Sequence, residues 1–130
     1  MTFKTFAPLL ASAFALAGCA AIPDAGSSAL PEGSIVALNQ SVRVGPLVAT
    51  PLELVEDSRC PINARCIRAG DAIVKTRLSD GSSSVTANLK LGEPAQALGH
   101  AVQLSSVEPG RMTNESPAPR DYRFAYELAD

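Results

Sequence analysis

Apolar residues in this chain recur at every second position rather than every third or fourth, and that period suits strands, not helices. In DAIVKTRL, Ala72, Val74, Thr76 and Leu78 share one face while Ile73, Lys75 and Arg77 share the other. In SVTANLKL the apolar set is Val85, Ala87, Leu89 and Leu91, opposed by Ser84, Thr86, Asn88 and Lys90. The SDGSS between them offers Asp80-Gly81 for the positive φ of a tight reversal, so the two runs predict a hairpin. DYRFAYELA alternates again, with Tyr122, Phe124, Tyr126 and Leu128 on the inward side. Weaker strand patterns occur at SIVALN, SVRVGPLVATP, LELVED and HAVQLSSVEP. Short strands divided by Gly, Pro, Asn and Asp clusters predict an all-β fold, a small antiparallel β-sandwich of Ig-like or partly open barrel form. GEPAQAL is compatible with one helical turn. EPGRMTNESPAPRD, polar and holding three prolines, reads as an exposed loop before the last strand.

The sandwich pattern begins at residue 35, and what precedes it has a different character. MTFKTFAPLLASAFALAGC opens with a short positive region and continues with an apolar core, FAPLLASAFALA. That core is too short to span a bilayer, which takes roughly 20 apolar residues. The arrangement is that of an export signal. Its end, Leu16-Ala17-Gly18-Cys19, resembles a bacterial lipobox, in which the cysteine thiol is acylated and the cysteine becomes the first residue of the mature chain. The expected division is residues 1–18 as lipoprotein signal peptide, 19–34 as acylated cysteine and tether, and 35–130 as the β-sandwich domain. AAIPDAGSSALPEGS, residues 20 to 34, is small and polar with two prolines and two glycines, a composition too poor in apolar surface to order itself. Ala20 stands where an aspartate would retain a lipoprotein of this kind in the inner membrane. The expected location is therefore the cell envelope of a Gram-negative bacterium, lipid-anchored, at the periplasmic face of the outer membrane.

Cysteine count supports this from another direction. Three cysteines is an odd number for an exported chain. With Cys19 given to the lipid, Cys60 and Cys66 remain as a pair, in a compartment where disulfides persist. They lie in EDSRCPINARCIRAG, the most unusual stretch of the chain. A zinc centre needs three or four ligands, and two sulfurs, the distant His100 and scattered carboxylates do not supply them in a recognisable pattern. A dithiol redox site takes two intervening residues at a helix start; here there are five, with Pro61 among them and a strand following. A structural disulfide needs only that the Cα atoms approach within roughly 4.4–6.8 Å, which a turn begun at Pro61 allows. The same loop is also a candidate binding surface, because Arg59, Arg65 and Arg68 with Asp57 would suit a carboxylate or phosphate ligand. The plainer alternative pairs Arg59 with Glu56 or Asp57 and leaves the other arginines solvated.

EDSRCPINARCIRAGDAIVKTRL is similar to a segment of a family of small bacterial envelope proteins that carry D-S-R-C-P, four residues, C, then three residues and a glycine leading into a strand. The likeness extends through SVTANLKLG, VQLSSVEP and YRFAYEL, and so over most of residues 40 to 128. Only the cysteine segment is specific. The chain departs from the pattern at Arg68, where such proteins often carry an aromatic residue. The resemblance implies an envelope location and a β fold, and carries no activity with it.

Composition narrows the function classes. Loss of the signal removes Lys4 and leaves ten basic against thirteen acidic residues, a net charge of −3. No basic face of the kind a nucleic-acid partner needs is visible. Tryptophan is absent and aromatics are few, which disfavours stacking platforms. His100 is the sole histidine and no Gly-x-Ser-x-Gly elbow accompanies it, so it reads as a strand-end residue rather than a general base. Glu53, Glu56, Asp57 and Asp71 are the carboxylates whose convergence would suggest a glycosidase. The expectation is a protein without enzymatic activity and without metal or other cofactor. Its partners would be the membrane through its lipid anchor and another envelope protein or an anionic ligand. The competing expectation is an inhibitor of a secreted protease or lysozyme that presents the stapled loop.

Overall fold

The computed structural model describes residues 28–130, and the expected signal, lipobox and acylation site at Cys19 lie outside them. The predicted sandwich is present. Strands β1 (Val42–Val44), β2 (Leu47–Asp57), β3 (Ala72–Ser79) and β4 (Ser84–Lys90) form one antiparallel sheet in that order. Strands β5 (Ala95–Ala97), β6 (His100–Glu108) and β7 (Arg123–Leu128) form the other. Each sheet is a simple meander, unlike the interleaved order of immunoglobulin domains, and the two sheets remain open rather than closing into a barrel. The chain crosses from one sheet to the other once, between Lys90 and Ala95.

Alternation tells where the core lies. Ala72, Val74, Thr76 and Leu78 of β3 are buried, as are Tyr122, Phe124 and Tyr126 on and beside β7. Val36, Val42, Val44, Leu47, Ala49, Leu89, Val102 and Leu104 complete the apolar layer between the sheets. One polar link crosses it: the hydroxyls of Thr76 and Tyr126 lie 2.9 Å apart, both buried. Burial pushes the Tyr126 phenol well above its ordinary range, so this contact stays neutral. No buried side-chain polar atom among the described residues lacks a partner.

The structure differs from the sequence reading in several strands and in the tether. SVRVGPLVATP and LELVED are not separate strands. Gly45-Pro46 reverses the chain between β1 and β2, with Gly45 at φ +58°, and β2 then runs through Pro51 to Asp57 with irregular register on either side of Leu54. SIVALN forms no strand; only Val36 pairs, exchanging both backbone bonds with Phe124 at 2.9 and 2.8 Å. GEPAQAL forms no helical turn. Ala95–Ala97 pairs with β6 instead, because a lone turn cannot offset its nucleation cost while a sheet edge offers partners directly. On β4 only Leu89 of the apolar set is fully buried and Val85 is 38% exposed, since the facing sheet has three strands and one of them is three residues long. Finally, the segment assigned to the tether is paired at Leu30, which bonds Ser41 and Arg43 through its backbone and packs against the core.

Candidate functional site

The connection between β2 and β3 carries the cysteines. Ser58 and Asp71 close its neck: the Ser58 amide donates to the Asp71 carbonyl at 2.7 Å, and the Asp71 amide donates to the Ser58 hydroxyl at 3.0 Å. Gly70 is required there, because a Cβ at that position would overlap the Ser58 carbonyl oxygen. Beyond the neck, Cys60 and Cys66 form a disulfide with Cα atoms 5.9 Å apart, as expected. Inside it, the Ala64 amide donates to the Pro61 carbonyl at 3.1 Å and turns the chain.

Asp57 and Arg59 sit at the root of this loop and face inward. The guanidinium of Arg59 grips both carboxylate oxygens of Asp57, at 2.8 and 3.0 Å. Its remaining donors reach the carbonyls of Val107 and Pro109 at 2.8 and 2.9 Å, on the far sheet and the loop that follows it. Tyr122, just before β7, donates its hydroxyl to the same carboxylate at 2.8 Å. Side-chain exposure is 16% for Arg59 and 7% for Asp57. Burial alone would raise the Asp57 pKa, but the hydrogen bonds from Arg59 and Tyr122 and the guanidinium charge outweigh it and hold the carboxyl below its usual range. The same hydrogen bond to Asp57 holds Arg59 above its ordinary value. For Tyr122, burial first and then the bond to Asp57 push the phenol up.

A second segment completes the support. The loop expected to be merely exposed, EPGRMTNESPAPRD, lies along the stapled loop. The Ile62 amide donates to the Arg111 carbonyl at 2.8 Å, and the Arg111 guanidinium donates to the Arg59 carbonyl at 3.1 Å. Asn63 and Thr113 exchange two bonds, at 2.7 and 2.9 Å. Ile62 lies over Gly110, where a Cβ would collide with it.

The four residues nominated as a binding loop therefore divide. Asp57 and Arg59 are spent on the fold, in the plainer pairing. Arg65 and Arg68 are exposed and make no ion pair among the described residues. Beside them are two residues that sequence reading passed over: Ile67 is fully exposed and Ile62 is 75% exposed. No local pattern marked them as exposed, because burial of an isoleucine in a loop depends on what packs against it. Tyr122, Arg111, Asn63 and Thr113 carried no local signal; each meets its partner from about 50 residues or more away.

Elsewhere the candidate carboxylates meet separate cations: Glu53 lies 3.4 Å from Lys75, and Asp71 lies 3.4 Å from Lys90. His100 begins β6, as expected of a strand-end residue, with its Nδ1 3.4 Å from Asp130. Among the described residues no three His, Cys, Asp or Glu side chains gather as metal ligands, and no pocket is enclosed. Compared with protein-family models, curated proteins and solved structures, the chain matches none.

Proposed function

We propose that this chain is a lipid-anchored module of the Gram-negative cell envelope, acylated at Cys19, that works by binding or scaffolding rather than by catalysis. The carrying observation is the division of labour in the stapled loop. Its root uses Asp57, Arg59 and Tyr122 to fix the backbone, while its outer part leaves Ile62, Arg65, Ile67 and Arg68 to solvent. A rigid loop loses little conformational entropy on contact, so a small surface of this kind can serve recognition. The exposure of Ile62 and Ile67 and the lack of an enclosed pocket among the described residues favour an extended surface over a small substrate as the partner. The competing reading, inhibition of a secreted protease or lysozyme, has weaker support. The turn at Pro61–Ala64 is not the extended strand that edge-pairing recognition of a peptide uses.

The test is acyl labelling and envelope fractionation of the native protein beside Cys19→Ser. Label and outer-membrane location lost together in the variant are the expected result. An unlabelled native protein released with the soluble periplasmic fraction would overturn the anchored reading.

A further inference from the structure

We infer that the outer part of the stapled loop is a second membrane contact, in which Ile62 and Ile67 enter the headgroup boundary of an anionic phospholipid bilayer while Arg65 and Arg68 meet its phosphates. This rests on the reading of the chain as a lipid-anchored envelope protein.

Three observations converge on a lipid surface. First, the loop combines apolar and cationic exposure: Ile67 is fully exposed, Ile62 is 75% exposed, and both arginines are unpaired among the described residues. Apolar side chains flanked by basic ones are the composition that seats a peripheral segment at a bilayer boundary. Second, no acidic residue lies between Ser58 and Gly70, and the nearest buried carboxylate, Asp57, is already neutralised by Arg59. The exposed part of the loop thus carries uncompensated positive charge, complementary to phosphate, which arginine binds with its planar fork.

Third, the reach is sufficient. Leu30 pairs beside Val42, which stands opposite Ala49 on β2, whereas the stapled loop leaves β2 at Asp57. Eight strand residues separate those points by roughly 26 Å. Eleven residues link Cys19 to Leu30 and can span at most roughly 36–40 Å. An acyl group at Cys19 and the loop can therefore meet the same bilayer. Once the acyl chains hold the protein there, the loop acts at a high effective concentration, and a contact too weak to bind alone becomes populated.

The experiment uses the full acylated protein purified from its envelope. It is reconstituted with vesicles of phosphatidylethanolamine and phosphatidylglycerol, or of phosphatidylcholine alone, and read by flotation and by amide hydrogen exchange. Amides 65 to 69 make no backbone bond among the described residues and so report directly on coverage. Flotation with both vesicles is expected from the anchor. Exchange at 65–69 should slow on the phosphatidylglycerol vesicles only, and the slowing should be lost in high salt. Each of Arg65→Gln and Arg68→Gln should weaken that protection about fivefold. Ile67→Ser should abolish it while flotation and the thermal midpoint stay unchanged.

Equal exchange on vesicles and in detergent, with flotation intact, overturns the loop contact and leaves the anchor standing. Absence of flotation overturns the anchored reading and this inference with it. Protection that needs an added envelope extract, and does not arise on vesicles, assigns the loop to a protein partner and overturns the lipid contact.

Discussion

Two connections flank β3, and they are built in opposite ways. Residues 80–83, between β3 and β4, are held by their own side chain: Asp80 Oδ1 accepts from the amides of Ser82 and Ser83 at 2.9 and 2.7 Å and from the Ser82 hydroxyl. Its pKa is lowered by those backbone donors, that of Ser83 foremost. Residues 58–71, between β2 and β3, are closed by their own disulfide and held from elsewhere by Tyr122 and by the segment from Val107 to Thr113. The short turn needs only local chemistry, because four residues have few conformations to lose. The long one would sample many conformations, so its internal staple and turn are supplemented by bonds from distant elements, formed at a cost in chain entropy. Only the long connection exposes isoleucine and arginine, so the extra support is concentrated beside these exposed side chains.

The largest effect should come from removing the clamp. Arg59→Ala leaves the part-buried Asp57 carboxylate with Tyr122 alone, and about 3–5 kcal/mol, the loss when a fully buried pair is broken, is the ceiling expected in denaturant unfolding. Arg59→Lys should recover little of it, since an ammonium cannot supply the fork and two carbonyl bonds at once. If Asp57→Asn in the same chain restores part of the loss, the coupling is electrostatic; strict additivity would sever the two residues energetically.

Next in size is the staple. Reduction of Cys60–Cys66 releases a loop of about seven residues and should lower stability by about 2.4 kcal/mol by chain entropy. The bonds from Arg111 and Thr113 should persist in the reduced protein, so the loss should not exceed that value. A loss exceeding the entropic value would mean that those bonds depend on the disulfide.

Acid should act on the clamp as well. The Asp57 carboxyl is held below its unfolded value, near 3.8. Its contribution is therefore complete above that pH and is lost as pH falls through the lower, folded value. Midpoints measured across pH 2 to 6 should decline toward the acid end, and Asp57→Asn should flatten the decline. An unchanged slope would assign the acid sensitivity to other carboxylates.

The smallest effect belongs to the short turn. Asp80→Ala removes a fully exposed acceptor and should barely move the unfolding midpoint, with Gly81 still free at φ +96°. A drop rivalling that of Arg59→Ala would erase the contrast between the two connections.

Much of this organisation is written in local patterns. A period of two fixes which face of β3 and β7 is buried, because successive strand side chains point to opposite sides of the sheet. Asp80-Gly81 marks its own reversal, although the positive φ falls on Gly81 alone and Asp80 contributes its side chain. The Gly45-Pro46 turn was equally legible, with glycine at the first central position, yet the apolar run around it hid the break. Cys60 and Cys66 declare their pairing by count and spacing. What has no local trace is the support of the stapled loop. Arg59 reads in sequence as a surface cation, and only the approach of Val107, Pro109 and Tyr122 makes it a buried clamp. Val85 reads as core and is half open, because the width of the opposing sheet is not a property of β4. Spacing along one chain was enough for β3, β4 and β7, for the inward faces of β3 and β7, and for the staple. The pairing of Arg59 with Asp57 was among the readings of its local sequence, but its grip on Val107 and Pro109 and the exposure of Ile62 and Ile67 came from the fold, since burial depends on what distant segments bring alongside.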